Sequence, residues 1–126
     1  MHVLHDRLVG DVFDQVRKHL GSDGLKEVLR KLYADCEPAS WHMMVSKVFW
    51  YRIYTTNIDD VVENSYASGG VQKPHSIVCP STYQDSDIWY EKVQCVHLHG
   101  CVTDFDKGFT FTAEEFGMQT ASPNPW

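Results

Sequence analysis

Two short stretches of this chain concentrate the side chains that could do chemistry. The first is Tyr54-Thr55-Thr56-Asn57-Ile58-Asp59-Asp60, where two hydroxyls, one amide and two carboxylates fall within the six residues Thr55 to Asp60. The second is Lys92-Val93-Gln94-Cys95-Val96-His97-Leu98-His99-Gly100, which ends in a histidine and a glycine. An imidazole with an ordinary pKa of about 6.5 takes up a proton near neutral pH, which makes His99 a candidate general base. Asn57 can hold a water or a hydroxyl, and Gly100 lets the backbone turn tightly and approach a ligand closely. Thr, Asn and Asp are also preferred helix N-caps, so the first stretch suits a plain cap as well as a site.

A metal reading competes. Cys95, His97, His99 and Cys101 alternate in sequence and would share one face of a strand, with Asp104 or Asp106 in support. Extended over residues 95 to 101, however, the outer pair would stand about 20 Å apart at roughly 3.3 Å per residue. Zinc ligands converge within about 2.0–2.3 Å of one ion. His97 with His99 survives this test as a His-x-His strand pair. The plainer reading of His97 is a polar residue near a strand end.

The elements around these stretches must position them. Val48-Phe49-Trp50-Tyr51-Arg52-Ile53-Tyr54 is an apolar, aromatic run that predicts a strand, and Val61, Val62 and Tyr66 predict a helix of about two turns ended by Gly69-Gly70. Asn57 therefore sits in a strand-to-helix turn, and in an open parallel sheet ligands bind at the carboxyl ends of strands. Strands are expected at Phe49–Thr55, His75–Cys79 and Lys92–Leu98. Upstream, Leu8, Val12, Phe13, Val16 and Leu20 predict an amphipathic helix over about His5–Leu20, stopped by Gly21. Leu25, Val28, Leu29 and Leu32 predict a second, capped by Ser22 or Asp23. Ala39–Lys47 predicts a third, with Trp41, Met44, Val45 and Val48 turned inward, and all these stripes are expected to pack into a core. Ser81–Glu91 reads as a surface loop, and Asp104–Gly108 as a tight turn.

Composition bounds the function. The chain has 126 residues, enough for one domain, with 43% hydrophobic and 22% charged residues. The net charge of -6 and the lack of any basic run argue against a nucleic-acid footprint. No stretch of about 18 apolar residues and no signal-peptide core occurs, so neither a membrane span nor secretion is expected and a cytoplasmic location is. The four cysteines form no Cys-x-x-Cys pair, and no disulfide framework is expected.

Thr-Thr-Asn-Ile-Asp at Thr55–Asp59, followed some forty residues later by His99-Gly100, resembles the sirtuin family. Deacylase sirtuins carry Thr-Gln-Asn-Ile-Asp and a His-Gly with a catalytic histidine. The Thr-Thr-Asn form, with a second acidic residue at Asp60, is similar to the sirtuin-like NAD+ hydrolases of prokaryotic anti-phage systems. Phe109-Thr110-Phe111-Thr112-Ala113-Glu114-Glu115-Phe116 fits the strand and helix that follow His-Gly in that group. The resemblance spans roughly residues 40 to 117.

It implies an α/β fold, a partial doubly wound (Rossmann-like) parallel sheet with a helical N-terminal part. Residues 1–126 would be a single incomplete sirtuin-like domain, with 1–47 helical and 48–120 the strand-helix core. It implies NAD+ as substrate, cleaved to nicotinamide and ADP-ribose or a cyclic relative. His99 and Asn57 would be catalytic, and Thr55, Thr56, Asp59 and Gly100 would bind the dinucleotide. Thr56 stands where deacylases have Gln, and the zinc ribbon of two Cys-x-x-Cys pairs is missing, so no zinc is expected and the deacylase branch is the weaker match. The Gly-Ala-Gly-x-Ser phosphate loop and the later Gly-Thr-Ser-type segment are also missing. The chain is therefore expected to be the middle of a larger domain, homo-oligomeric or an effector domain in the full-length protein, and inactive alone. A metal-dependent hydrolase using His97 and His99, and a structural or interaction fragment, are the alternatives.

Overall fold

β3, Lys92–His97, is the middle strand of a three-stranded parallel sheet of order β1-β3-β2, with β1 at Arg52–Thr55 and β2 at Lys73–Ile77. The computed structural model describes residues 2–78, 88–107, 109, 110, 115, 117 and 118, with the side chains of 2–10 left aside. Central placement explains the composition of β3: a parallel strand paired on both sides and covered on its faces is buried nearly throughout. Val93, Gln94, Cys95, Val96 and His97 are all buried. The register sets Arg52 against Gln94 and Thr55 against His97 on one side, and Lys73 against Lys92 and Ile77 against Val96 on the other. The chain is thus mixed α/β, compatible with part of a Rossmann-like sheet.

β1 and β3 are shorter than the apolar runs suggest. β1 begins only at Arg52, because the backbone of Trp50 is already committed to a side chain: its N–H donates to Gln72 Oε1 and its carbonyl accepts from Gln72 Nε2, both at 2.8 Å. Gln72 Nε2 also donates to the carbonyl of Trp89, so one buried amide gathers three segments where the sheet begins. β2 starts two residues before the expected His75, and Cys79 lies outside the described residues.

Helices that accompany the sheet include α1 at His2–Tyr33, α2 at Ser40–Val45 and α3 at Val61–Ala67. Gly21 interrupts α1 with non-helical backbone (φ 73°, ψ 174°), a conformation open to glycine, so the two expected helices meet at a kink there. α3 packs Tyr66 and Val62 onto Val93, Cys95 and Ile53 of the sheet. A second core joins Leu25 and Leu29 of α1 to Ile58, Val102 and Phe105, residues from the turns that follow β1 and β3. Full burial of one leucine stabilises by roughly 1.5–3 kcal/mol, so this cluster holds those turns in place as well as the helix.

The expected inward stripes are only partly inward. Leu25 and Leu29 are buried, and Phe13 and Val16 pack against their cluster. Val12, Leu20 and Leu32 are exposed, as are Trp41, Met44 and Val48, which the spacing had turned to the core. An amphipathic stripe is buried only where another element meets it, and among the described residues none covers these. The segment Asp104–Gly108 folds as a 3-10 turn at Phe105–Lys107 with Phe105 buried; Gly108 lies outside the described residues, as do most of Ser81–Glu91 and of Phe111–Phe116. No helix among the described residues is long and apolar enough to cross a membrane.

Candidate functional site

The two chemistry-bearing turns run side by side at the carboxyl ends of adjacent parallel strands. Leu98 N–H donates to the Thr55 carbonyl at 2.9 Å, and Val102 N–H to the Ile58 carbonyl at 2.7 Å, so the chain after β3 follows the chain after β1. Gly100 makes this possible. Its φ of 98° lies in the region that favours glycine, and it turns the backbone back within three residues of the strand end.

In the first turn, Thr55 Oγ1 accepts the Asn57 N–H at 3.0 Å, and Asp59 Oδ1 accepts the Val61 N–H at 3.2 Å at the start of α3. Thr56 and the Asn57 side chain are exposed, and Asp59 is half-buried. Asp60 does something else. It is buried, and its carboxylate accepts the Asp35 N–H at 2.8 Å and the Cys36 N–H at 2.9 Å. It ties the exit of α1, where Asp35 has a positive φ of 55°, to the functional turn. In the second turn His99 is half-buried; burial holds its imidazole below its ordinary pKa, and its carbonyl accepts the Thr110 N–H at 2.9 Å.

Between and beneath the turns lies a buried polar cluster. His97 Nε2 is 2.8 Å from Glu63 Oε1, and His97 Nδ1 is 3.1 Å from the Asn57 carbonyl. Ser76 Oγ donates to the same Glu63 oxygen. Cys101 Sγ, 3.2 Å from Thr103 Oγ1, completes a group whose three ligand-type atoms, from Glu63, His97 and Cys101, lie within 4.8 Å of one another. Both His97 nitrogens face acceptors, so the ring donates to both as an imidazolium. Burial disfavours that charge, but hydrogen bonds to Cys101 and Glu63 and the Glu63 charge outweigh it and push the His97 pKa up to about 10. For Glu63, burial pulls upward, and the hydrogen bond and charge of His97, with the Ser76 hydroxyl, hold it below the usual carboxylate value.

His97 is therefore more than a residue at a strand end: 1% exposed, it bridges α3 to the Asn57 turn. Among the described residues, the donors that gather with His97 are Glu63 and Cys101, and His99 is not in that group. Cys101 reaches it because the strand ends at His97 and Gly100 turns the chain, so the 20 Å extension never arises. Sequence reasoning passed over Glu63 and Ser76. The signal that could have found Glu63 is an acidic residue on the short helix launched from the carboxyl end of the strand beside His97.

No protein-family model matches this chain, and no curated protein matches it.

Proposed function

We propose that the intact protein is a sirtuin-like NAD+ hydrolase, with its reaction centre in the crevice above the carboxyl ends of β1 and β3. The supporting observation is the adjacency of the two motif turns: residues forty positions apart in sequence follow neighbouring parallel strands in register, where α/β sheets bind ligands. The three strands would belong to a larger doubly wound sheet. The free Cys36, Cys95 and Cys101 fit a reducing cytoplasm.

The residues suit the nicotinamide-ribose end of the substrate. Positive charge grows on the ribose as neutral nicotinamide leaves, and groups that stabilise it more in the transition state than in the ground state accelerate the step. Asn57 is exposed, and its amide can hold water or the ribose hydroxyls. Asp59 keeps its Oδ2 for the nicotinamide amide while Oδ1 holds α3. His99, kept neutral by burial, takes a proton from a ribose hydroxyl or the attacking water. The residues do not supply the diphosphate end: the sequence has no Gly-Ala-Gly loop to cradle it, so NAD+ cleavage belongs to the intact domain. A role in anti-phage defence rests on the resemblance alone.

The test is nicotinamide release from NAD+ by the intact domain, followed by chromatography. Turnover in the wild type and its loss in His99→Ala support the reading; equal activity in the two removes it.

A further inference from the structure

We infer that Glu63, His97 and Cys101 form a binding site for a single zinc-class divalent cation beneath the Asn57 turn. This inference does not rest on the NAD+ reading. It is also distinct from the Cys-x-x-Cys ribbon, whose absence led to the expectation of a zinc-free domain.

The donor set comes first. One thiol, one imidazole and one carboxylate are the borderline-soft combination that zinc takes, whereas calcium and magnesium prefer oxygen alone. Spacing comes second. Tetrahedral ligands about 2.0–2.3 Å from one ion stand roughly 3.3–3.8 Å apart. The three atoms already lie within 4.8 Å of one another, with the Glu63–His97 pair at 2.8 Å, so shifts of about 1 Å or less close the site around an ion.

The surroundings are those of a held ligand set. A metal-bound histidine almost always donates its other ring N–H to a carbonyl or carboxylate, which fixes ring and tautomer. His97 Nδ1 makes that contact to the Asn57 carbonyl and so presents Nε2 to Glu63. Ser76 fixes one Glu63 oxygen. The other, Oε2, is buried with no hydrogen-bond partner among the described residues. An orphaned buried carboxylate oxygen is costly, and a cation would satisfy it. Without the ion, a proton on His97 Nε2 occupies its place, and three protein ligands leave a fourth zinc position for water.

Cobalt titration of the full chain, stripped with a chelator, tests this. Tetrahedral cobalt(II) gives visible absorption, and a thiolate ligand adds a near-ultraviolet charge-transfer band. The expected result is saturation at one cobalt per chain with both features, reversed by one equivalent of zinc. The charge-transfer band is expected to vanish in Cys101→Ser and to persist in Cys36→Ser and Cys79→Ser. Glu63→Gln is expected to weaken binding by at least about tenfold. Absence of the charge-transfer band in the wild type overturns the proposal whatever the variants do, as does a band that survives Cys101→Ser. Both outcomes leave a closed Glu63–His97 ion pair, and neither bears on nicotinamide release.

Discussion

His97 Nδ1 lies 3.1 Å from the backbone carbonyl of Asn57, so a side chain at the end of β3 holds the main chain of the turn that follows β1. The same ring is anchored through Nε2 to Glu63 on α3. Removing it leaves the Glu63 carboxylate with only the Ser76 hydroxyl and the Asn57 carbonyl without the ring N–H. Breaking a buried pair from one side costs about 3–5 kcal/mol. His97→Ala is therefore expected to destabilise the fold by about that amount in urea or thermal unfolding. Replacing Glu63 and His97 together with leucine is expected to cost less than His97→Ala alone. A His97→Ala loss under 1 kcal/mol would show that the pair does not form.

The pair also predicts a pH profile for the metal-free protein. His97 is raised from 6.5 to about 10, so its contribution is complete below about 6.5 and is lost as the pH rises through about 10. Glu63 is lowered from 4.5, so its contribution is complete above 4.5 and is lost as the pH falls through its lower folded-state value. The stabilisation is greatest between about 4.5 and 6.5 and declines on both sides. Melting temperatures in chelator across this range check it. A Glu63→Gln, His97→Asn double variant should lose the alkaline decline, and a wild type with a flat profile from 6.5 to 10 contradicts the assignment.

Asp60 is expected to matter for stability, although it reads as part of a functional motif. Its carboxylate satisfies the Asp35 and Cys36 N–H groups at the exit of α1. Asp60→Ala removes the acceptor of both, at about 0.5–1.5 kcal/mol for each hydrogen bond lost. Asp60→Asn keeps one acceptor and should recover part of the loss. An Asp60→Ala protein that melts with the wild type would show that these two bonds do not hold the exit of α1.

These cases show what was legible in the sequence. Strand, turn and helix around Asn57 could be read because local patterns, an aromatic run and then helical spacing, encode them. Gly100 could be read as a turn for the same local reason. Glu63 was harder: its partner His97 is thirty-four residues away, and its one signal is an acid on the short helix that follows β1. Cys101 was misplaced because continued extension was assumed past His97, where a positive-φ glycine reverses the chain. Trp41, Met44 and Val48 were misplaced because periodicity tells which residues share a face, not whether a neighbour covers it.

β1 ends the sheet order and carries or adjoins exposed aromatic residues, Phe49, Trp50 and Tyr54 among them. Among the described residues no strand pairs with the outer side of β1, and an exposed, apolar edge strand is a template for pairing with another chain. The isolated 126 residues are expected to self-associate at micromolar concentration in sedimentation. Tyr54→Lys, which places a charge on the edge strand, should shift the population toward monomer. A wild-type monomer with a sharp, cooperative calorimetric melt would mean instead that these residues are complete without a further strand.

The last prediction concerns the two histidines in the intact domain. As the proton acceptor, His99 should be worth about 10² to 10⁴-fold in turnover, so His99→Ala should fall by that factor with little change in melting temperature. Asn57→Ala should do comparable damage by releasing the water and the ribose. Because burial lowers the His99 pKa, the acid limb of the rate profile should lie below about 6.5. On sequence alone, His97→Ala should matter little. Its bond to the Asn57 carbonyl changes that expectation to a loss of both turnover and stability. Stability separates the roles: His97→Ala loses both, whereas His99→Ala loses rate alone. Full activity in His97→Ala with a lowered melting temperature would show that the Asn57 turn keeps its working shape without the His97 anchor. Full activity in His99→Ala would remove His99 as the base and, with it, the hydrolase reading.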